Sequence, residues 1–167
     1  MKKLVFLFIV IILIVFGLAK LRGENISAGS LPGDFLYSFD KSWEWINLNL
    51  LTFTDDGKVK LELKFMEERI SELKRLQEKG ELTVDRAKQL MDDYNNLIAK
   101  TQSGIKNISD ANKNIDDIII QAQSISNKHR DVVDLIIQSA PETTAEFLSK
   151  TLNFGEDLYK KTENIFR

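Results

Sequence analysis

The sequence has no cysteine, one histidine and only two prolines in 167 residues. Without cysteine the chain can build neither a disulfide framework nor a thiolate metal site, and a lipoprotein acyl anchor is excluded. The single histidine, His129, has Ser126 three residues before it, where a di-iron bundle would need glutamate. The prolines stand at 32 and 141, and glycine is sparse after residue 33, so a turn-rich β fold is disfavoured. Phosphate loops, nucleophile elbows and metal-ligand spacings are missing too. The chain is therefore read as a non-enzyme, with no catalytic, cofactor-binding or metal-ligating residue.

A basic excess is also lacking. Setting aside Lys2, Lys3, Lys20 and Arg22 leaves 19 basic residues against 25 acidic ones, a net charge of −6. Nucleic acid and anionic lipid surfaces both reward basic stripes, so neither is expected as the main partner.

What the chain does have is a run of 16 uncharged residues, 4–19, behind Met1-Lys2-Lys3. Its length falls between a signal core of about 7–15 apolar residues and a spanning helix of roughly 17–25. Leu21 extends it past Lys20, and Lys20 and Arg22 suit a snorkelling membrane exit. Ile, Leu, Val and Phe fill nearly every position. Residues 1–21 are read as an uncleaved single-pass anchor in the cell membrane, touching the bilayer through residues 4–21. Cleavage at the small-x-small pattern Gly17-Leu18-Ala19, giving a secreted protein, is the alternative. Lys2, Lys3 and the α-amine slightly outweigh Lys20 and Arg22 offset by Glu24, which favours a cytoplasmic N-terminus and an extracytoplasmic remainder.

Beyond a polar linker at 22–33 the pattern is helical. Leu36, Phe39, Trp43, Ile46, Leu50 and Phe53 are spaced 3, 4, 3, 4 and 3, a stripe expected to face a core. Pro32-Gly33 is turn chemistry and Asp34 a candidate N-cap. Thr54-Asp55-Asp56-Gly57 begins a second helix with Val59, Leu63, Met66, Ile70 and Leu73 in register, ending at Lys79-Gly80. Thr83 caps a third segment. Its seam runs Ala87, Leu90, Tyr94, Leu97, Thr101, Gly104, Ile108, Ala111, Ile115, Ile118, Ala122, Ile125, His129, Val132 and Ile136. This predicts one helix of some 55 residues, about 80 Å long, with Gly104 and the polar stretch 107–110 as its weak spots. Pro141 starts a last helix carrying Ala145, Leu148, Leu152, Tyr159 and Phe166, with Gly155 and Thr162 completing the spacing.

The expected fold is all-α: a membrane helix, then an elongated, antiparallel, coiled-coil-like array of about four helices. The long helix is its spine, and Ile115 and Ile118 meet Leu148 and Leu152. The expected divisions are 1–21 anchor, 22–33 linker, 34–104 helical domain and 105–167 C-terminal extension.

Pro-Gly-Asp-Phe-Leu-Tyr at 32–37, Lys41, Trp43 and Glu44, then Lys60-Leu61-Glu62-Leu63 through Glu67-Glu68-Arg69-Ile70-Ser71-Glu72-Leu73, resemble a bacterial family of unknown function. Its members open with PGD-x-LY and continue with a K-x-x-L-x-L-x-x-x-E-x-R-L-x-E-L helix. The resemblance covers about residues 31–100, and Asp40 and Ser42 depart from it. It implies an all-helical, exported, usually membrane-anchored domain, sometimes appended to proteins related to anti-sigma factors. It brings no catalytic residues.

The candidate residues are structural or contact residues. Pro32, Gly33, Asp34, Leu36 and Tyr37 read as an N-terminal lock, with Leu36 opening the stripe and Tyr37 shielding a neighbouring helix end. His129 reads as a core or interface histidine. Asp55-Asp56, Asp92-Asp93 and Asp116-Asp117 read as a cap and solvated faces, and Glu67, Glu68 and Glu72 with Lys64, Arg69, Lys74 and Arg75 as pairs on an exposed face. Trp45 projects away from the stripe and is the candidate partner contact. The function expected is a tethered extracytoplasmic module for protein contact or self-association, as scaffold, spacer or sensor-like partner. The alternative is an exported helical chaperone or small-ligand binder.

Overall fold

In the computed structural model, residues 30–151 are described. The anchor run, most of the linker, and Leu152, Gly155, Tyr159, Thr162 and Phe166 lie outside them. Among the described residues the protein is all-helical, without strands. The helices are α1 (Tyr37–Ile46), continued by a π-helical turn (Asn47–Leu51), α2 (Asp55–Glu78), α3 (Val84–Asp110), α4 (Asp116–Ser139) and α5 (Glu142–Thr151).

Local capping chemistry sets most of these boundaries. The Thr54 hydroxyl accepts from Gly57 N–H at 3.1 Å, and Asp55 and Asp56 occupy the positive first turn of α2. The Thr83 hydroxyl accepts from Arg86 N–H at 3.3 Å and opens α3. The Thr83 cap follows the sequence reading, whereas at α2 the cap is Thr54 and the Asp55-Asp56 pair read as a cap lies in the first turn.

The helix at the centre is α2, not the long seam. Val59, Leu63, Met66, Ile70, Leu73 and Leu76 are buried, and so are Phe65, Glu62, Arg69 and Glu72 on other sides of the same helix. A helix buried on most of its circumference must be surrounded. α3 runs antiparallel against it, pairing Thr101 with Glu62 and Asp93 with Arg69. α4 lies alongside α2 in the same direction, for Lys128 reaches Glu67 and Gln77 reaches Ser139, at sequence separations of 61 and 62 residues. α5 folds back over α3 and α4 and buries Leu148 completely.

The single long helix expected from the seam does not form. α3 continues through Gly104 but stops at Asp110. Asn112 then takes a left-handed conformation (φ 54°), with its N–H donating to Ser109 O at 2.8 Å and Lys113 N–H donating to Ile108 O at 3.2 Å. This is a Schellman-type stop, and asparagine is among the few residues that enter this region at small cost. Doubling back lets Ile108, Ile115 and Ile118 share a core with α2. An extended spine would have left half of that seam without a partner.

Ile115 and Ile118 are buried, as expected, but in a different place. The α2–α4 register sets Ile118 near the start of α2. It lies eleven residues, about 16 Å, along α4 from His129, which shares a cavity with Thr151 of α5.

The first stripe is reversed. Leu36, Phe39, Leu50 and Phe53 are exposed, Trp43 and Ile46 are half-buried, and the face turned inward carries Tyr37, Glu44 and Leu48. Those three positions and Lys41 repeat at spacings of 4, 3 and 4, a second stripe on the other side of α1.

Candidate functional site

The inward face of α1 ends in a cluster of buried charge. Arg69 of α2, only 2 % exposed, stands at its centre. Its guanidinium meets Glu44 Oε1 and lies 3.0 Å from Glu72 Oε1. It also donates to the Tyr37 hydroxyl at 3.3 Å and approaches Glu68 and Asp93, each at 3.8 Å. Lys41 bridges Glu44 and Asp93, both at 2.9 Å, and the Tyr37 hydroxyl donates to Asp93 at 3.4 Å. α1, α2 and α3 are thereby joined through polar side chains where a stripe of apolar contacts was expected.

The turn ahead of α1 aims these groups. Asp34 accepts from Leu31 N–H at 2.9 Å and its own N–H donates to Leu31 O at 2.8 Å. Gly33 holds φ +100°, and a Cβ there would meet the Arg86 guanidinium at 2.8 Å. Asp34 thus closes the turn and is not the N-cap, since Leu36 occupies that position without a side-chain bond. Tyr37 reaches the middle of α2 and α3, not a helix end. Leu36 is exposed and opens no buried stripe.

Two further expectations are corrected here. Arg69 and Glu72 are buried partners, not members of an exposed pair network. Asp93 belongs to the cluster, not to a solvated face. The missed signal was chemical: a phenol, a lysine and a glutamate on one face of α1 match Arg69 and Glu72 on one face of α2.

Two cations, Arg69 and Lys41, face the carboxyls of Glu44, Glu68, Glu72 and Asp93. Burial pushes the Glu72 carboxyl up to about 8, against the pull of Arg69, with Glu44 and Glu68 adding to the rise. Burial likewise raises Glu68 and the Tyr37 hydroxyl. Arg69 is held above its ordinary value: burial opposes its charge, and Glu72, Glu44, Tyr37 and Glu68 together outweigh that. Elsewhere on α2, burial lifts Glu62 to about 7, partly offset by the Thr101 hydroxyl 3.4 Å away.

Folded-state values above the ordinary 4.5 mean that these glutamates favour the fold fully below about pH 4.5. That contribution is lost as pH rises through about 7 and then about 8. Thermal melts between about pH 5 and pH 9 are expected to show a falling midpoint. Glu72→Gln should flatten the upper part of the decline. An unchanged midpoint throughout would show that the cluster is solvated.

A second polar pair lies in the core. His129, 4 % exposed, is 2.9 Å through Nδ1 from the Tyr94 hydroxyl, and the rings meet edge to face. Burial, with Lys128 beside it, lowers His129 to about 4, so the imidazole is neutral at pH 7. His129 Nε2 and Asn95 Oδ1 have no hydrogen-bond partner among the described residues, and both line a cavity of about 30 Å³ with Ile70, Met91 and Thr151. That volume suits water better than a substrate. His129 is thus a core histidine. Among the described residues no group of histidine and carboxylate side chains is arranged to hold a metal ion.

The surface feature that remains is the outward face of α1 and the π-helical turn. Leu36, Phe39, Leu50, Leu51 and Phe53 are exposed there, with Phe35 and Trp45 at its margins; Phe35 is 89 % and Phe53 87 % exposed. Trp45, the candidate contact residue, is 58 % exposed.

No curated protein and no solved structure matches the chain. A family described only as a domain of unknown function matches residues 29–143, from the turn before α1 to the start of α5. The match takes in every residue of the ion cluster and the whole of α2, α3 and α4, well over half of the chain. The protein belongs to that family, DUF5667.

Proposed function

We propose that the protein is a membrane-tethered, extracytoplasmic helical module that works by contact, as scaffold, spacer or sensor-like partner of another protein. The observation that carries this reading is the run of 16 uncharged residues at 4–19, which ends only ten residues before the bundle begins at Ser30. The polar clusters of the bundle support it. The Arg69 cluster ties helices together, and the His129 pair is sealed in the core. A scaffold needs such internal locks, whereas chemistry needs groups converging on an open cleft.

A second reading, an exported helical chaperone or small-ligand binder, is favoured by the uncovered apolar face of α1. It requires that face to take up unfolded clients or apolar probes from solution.

Fractionation should find the full-length chain in the membrane. Protease added outside right-side-out spheroplasts should cleave residues beyond 30. Protection of the bundle in intact spheroplasts would overturn the proposed topology, and full-length chain recovered in the soluble fraction would overturn the tether.

A further inference from the structure

We propose that the outward face of α1 and the π-helical turn lies in the headgroup–acyl boundary of the bilayer that holds the tether. The inference rests on the membrane-tether reading and adds to it a fixed orientation of the bundle. Among the described residues the stripe Leu36, Phe39, Leu50 and Phe53, flanked by Phe35 and Trp45, is exposed.

Reach favours the bilayer as the occupant. Ser30 N–H donates to Asp40 at 2.7 Å and Leu31 is 1 % exposed, so the chain is fastened to the bundle there. Ten residues, 20–29, separate that point from the uncharged run. They span at most about 35 Å when fully extended. α1 follows at once, so its apolar face is held close to the membrane surface.

Charge favours it as well. Residues 35–53 contain three charged side chains, Asp40, Lys41 and Glu44. Asp40 accepts from the Ser30 backbone, and Lys41 and Glu44 are bound in the ion cluster. The face can therefore enter the interface without desolvating an ion. Aromatic side chains and leucines beside a membrane exit are the composition of an interfacial helix. The usual basic fringe is replaced by neutral Ser38, Ser42 and Asn49. The contact is apolar, and anionic lipid adds nothing to it. The inward lock gives this orientation its cause: α1 spends its polar side on Arg69 and so must present its apolar side outward.

Both tryptophans of the chain, Trp43 and Trp45, are on α1, so the emission of the unaltered protein reports on this helix alone. The test uses the full chain in phosphatidylcholine vesicles brominated high on the acyl chain. The expected result is co-flotation with vesicles, loss of tryptophan emission to the brominated lipid, and protection from aqueous iodide. Phosphatidylglycerol in the vesicles should change nothing. Phe39→Ser with Phe53→Ser, both at exposed positions, should restore emission while flotation and helicity stay as they were. Flotation with unquenched tryptophan would overturn the inference and leave the tether standing. Failure to float would overturn both. Unquenched emission that responds to protein concentration, or to added unfolded protein, would assign the face to a second copy or to a client instead.

Discussion

Arg69→Ala is expected to destabilise the protein by about 3–5 kcal/mol, the range for removing one partner of a buried ion pair. The magnitude follows from what stays behind. Glu44 and Glu72 are buried beside the lost guanidinium, Asp93 and Glu68 lie near, and Lys41 bridges only Glu44 and Asp93. Arg69→Lys should recover only part of the loss, because an ammonium cannot serve carboxylates and a phenol in several directions as a planar fork can. Denaturant unfolding followed by tryptophan emission is a direct readout, since Trp43 and Trp45 both ride on the helix that the cluster holds. A loss below about 1 kcal/mol, as for a surface pair, would show that α1 is held by something else.

The cluster also explains the spacing of the two resemblance motifs. PGD-x-LY aims α1, its tyrosine reaches Arg69, and Lys41 and Glu44 complete the charge set. The arginine and the second glutamate of E-x-R-x-x-E supply the other half. Residues 30 or so positions apart are thereby bound together in the fold.

Features governed by neighbours in the chain were legible before the structure. Thr83 caps because a hydroxyl three residues before a free N–H suffices. The apolar stripe of α3 is buried from Ala87 to Ile108 because a regular period admits one inward face. Features governed by distant partners were not legible. The stripe of α1 has the same regularity, yet faces outward because Arg69, on another helix, claims the opposite side. The seam kept its heptad spacing through Ala111 and Ile115, so periodicity carried no sign of the stop. Asn112, whose side chain tolerates a left-handed backbone, was the local cue. Of the candidate residues, Gly33, Asp34 and Tyr37 take part in the lock and its turn, whereas Leu36 and Trp45 point to solvent.

The fold requires the seam to lie on α2, and Gly104 reports that contact. A Cβ added at Gly104 would come within 2.4 Å of Val59 Cγ2, and Val59 is fully buried and stiff at χ1. Gly104→Ala should gain up to about 1 kcal/mol of helix propensity and lose about 1–3 kcal/mol to the overlap, a net destabilisation. Val59→Ala vacates the contested space at its own cavity cost. In that background Gly104→Ala should become neutral or stabilising, a coupling that two residues on separate surfaces would not show. The deciding measurement is the double-mutant cycle over Gly104→Ala and Val59→Ala, read by denaturant unfolding with helicity followed in parallel. The fold described here predicts a destabilising single substitution, rescued by Val59→Ala, with helicity unchanged. A Gly104→Ala variant more stable than wild type, with additive effects across the cycle, would mean that α3 does not lie on α2 and would contradict it.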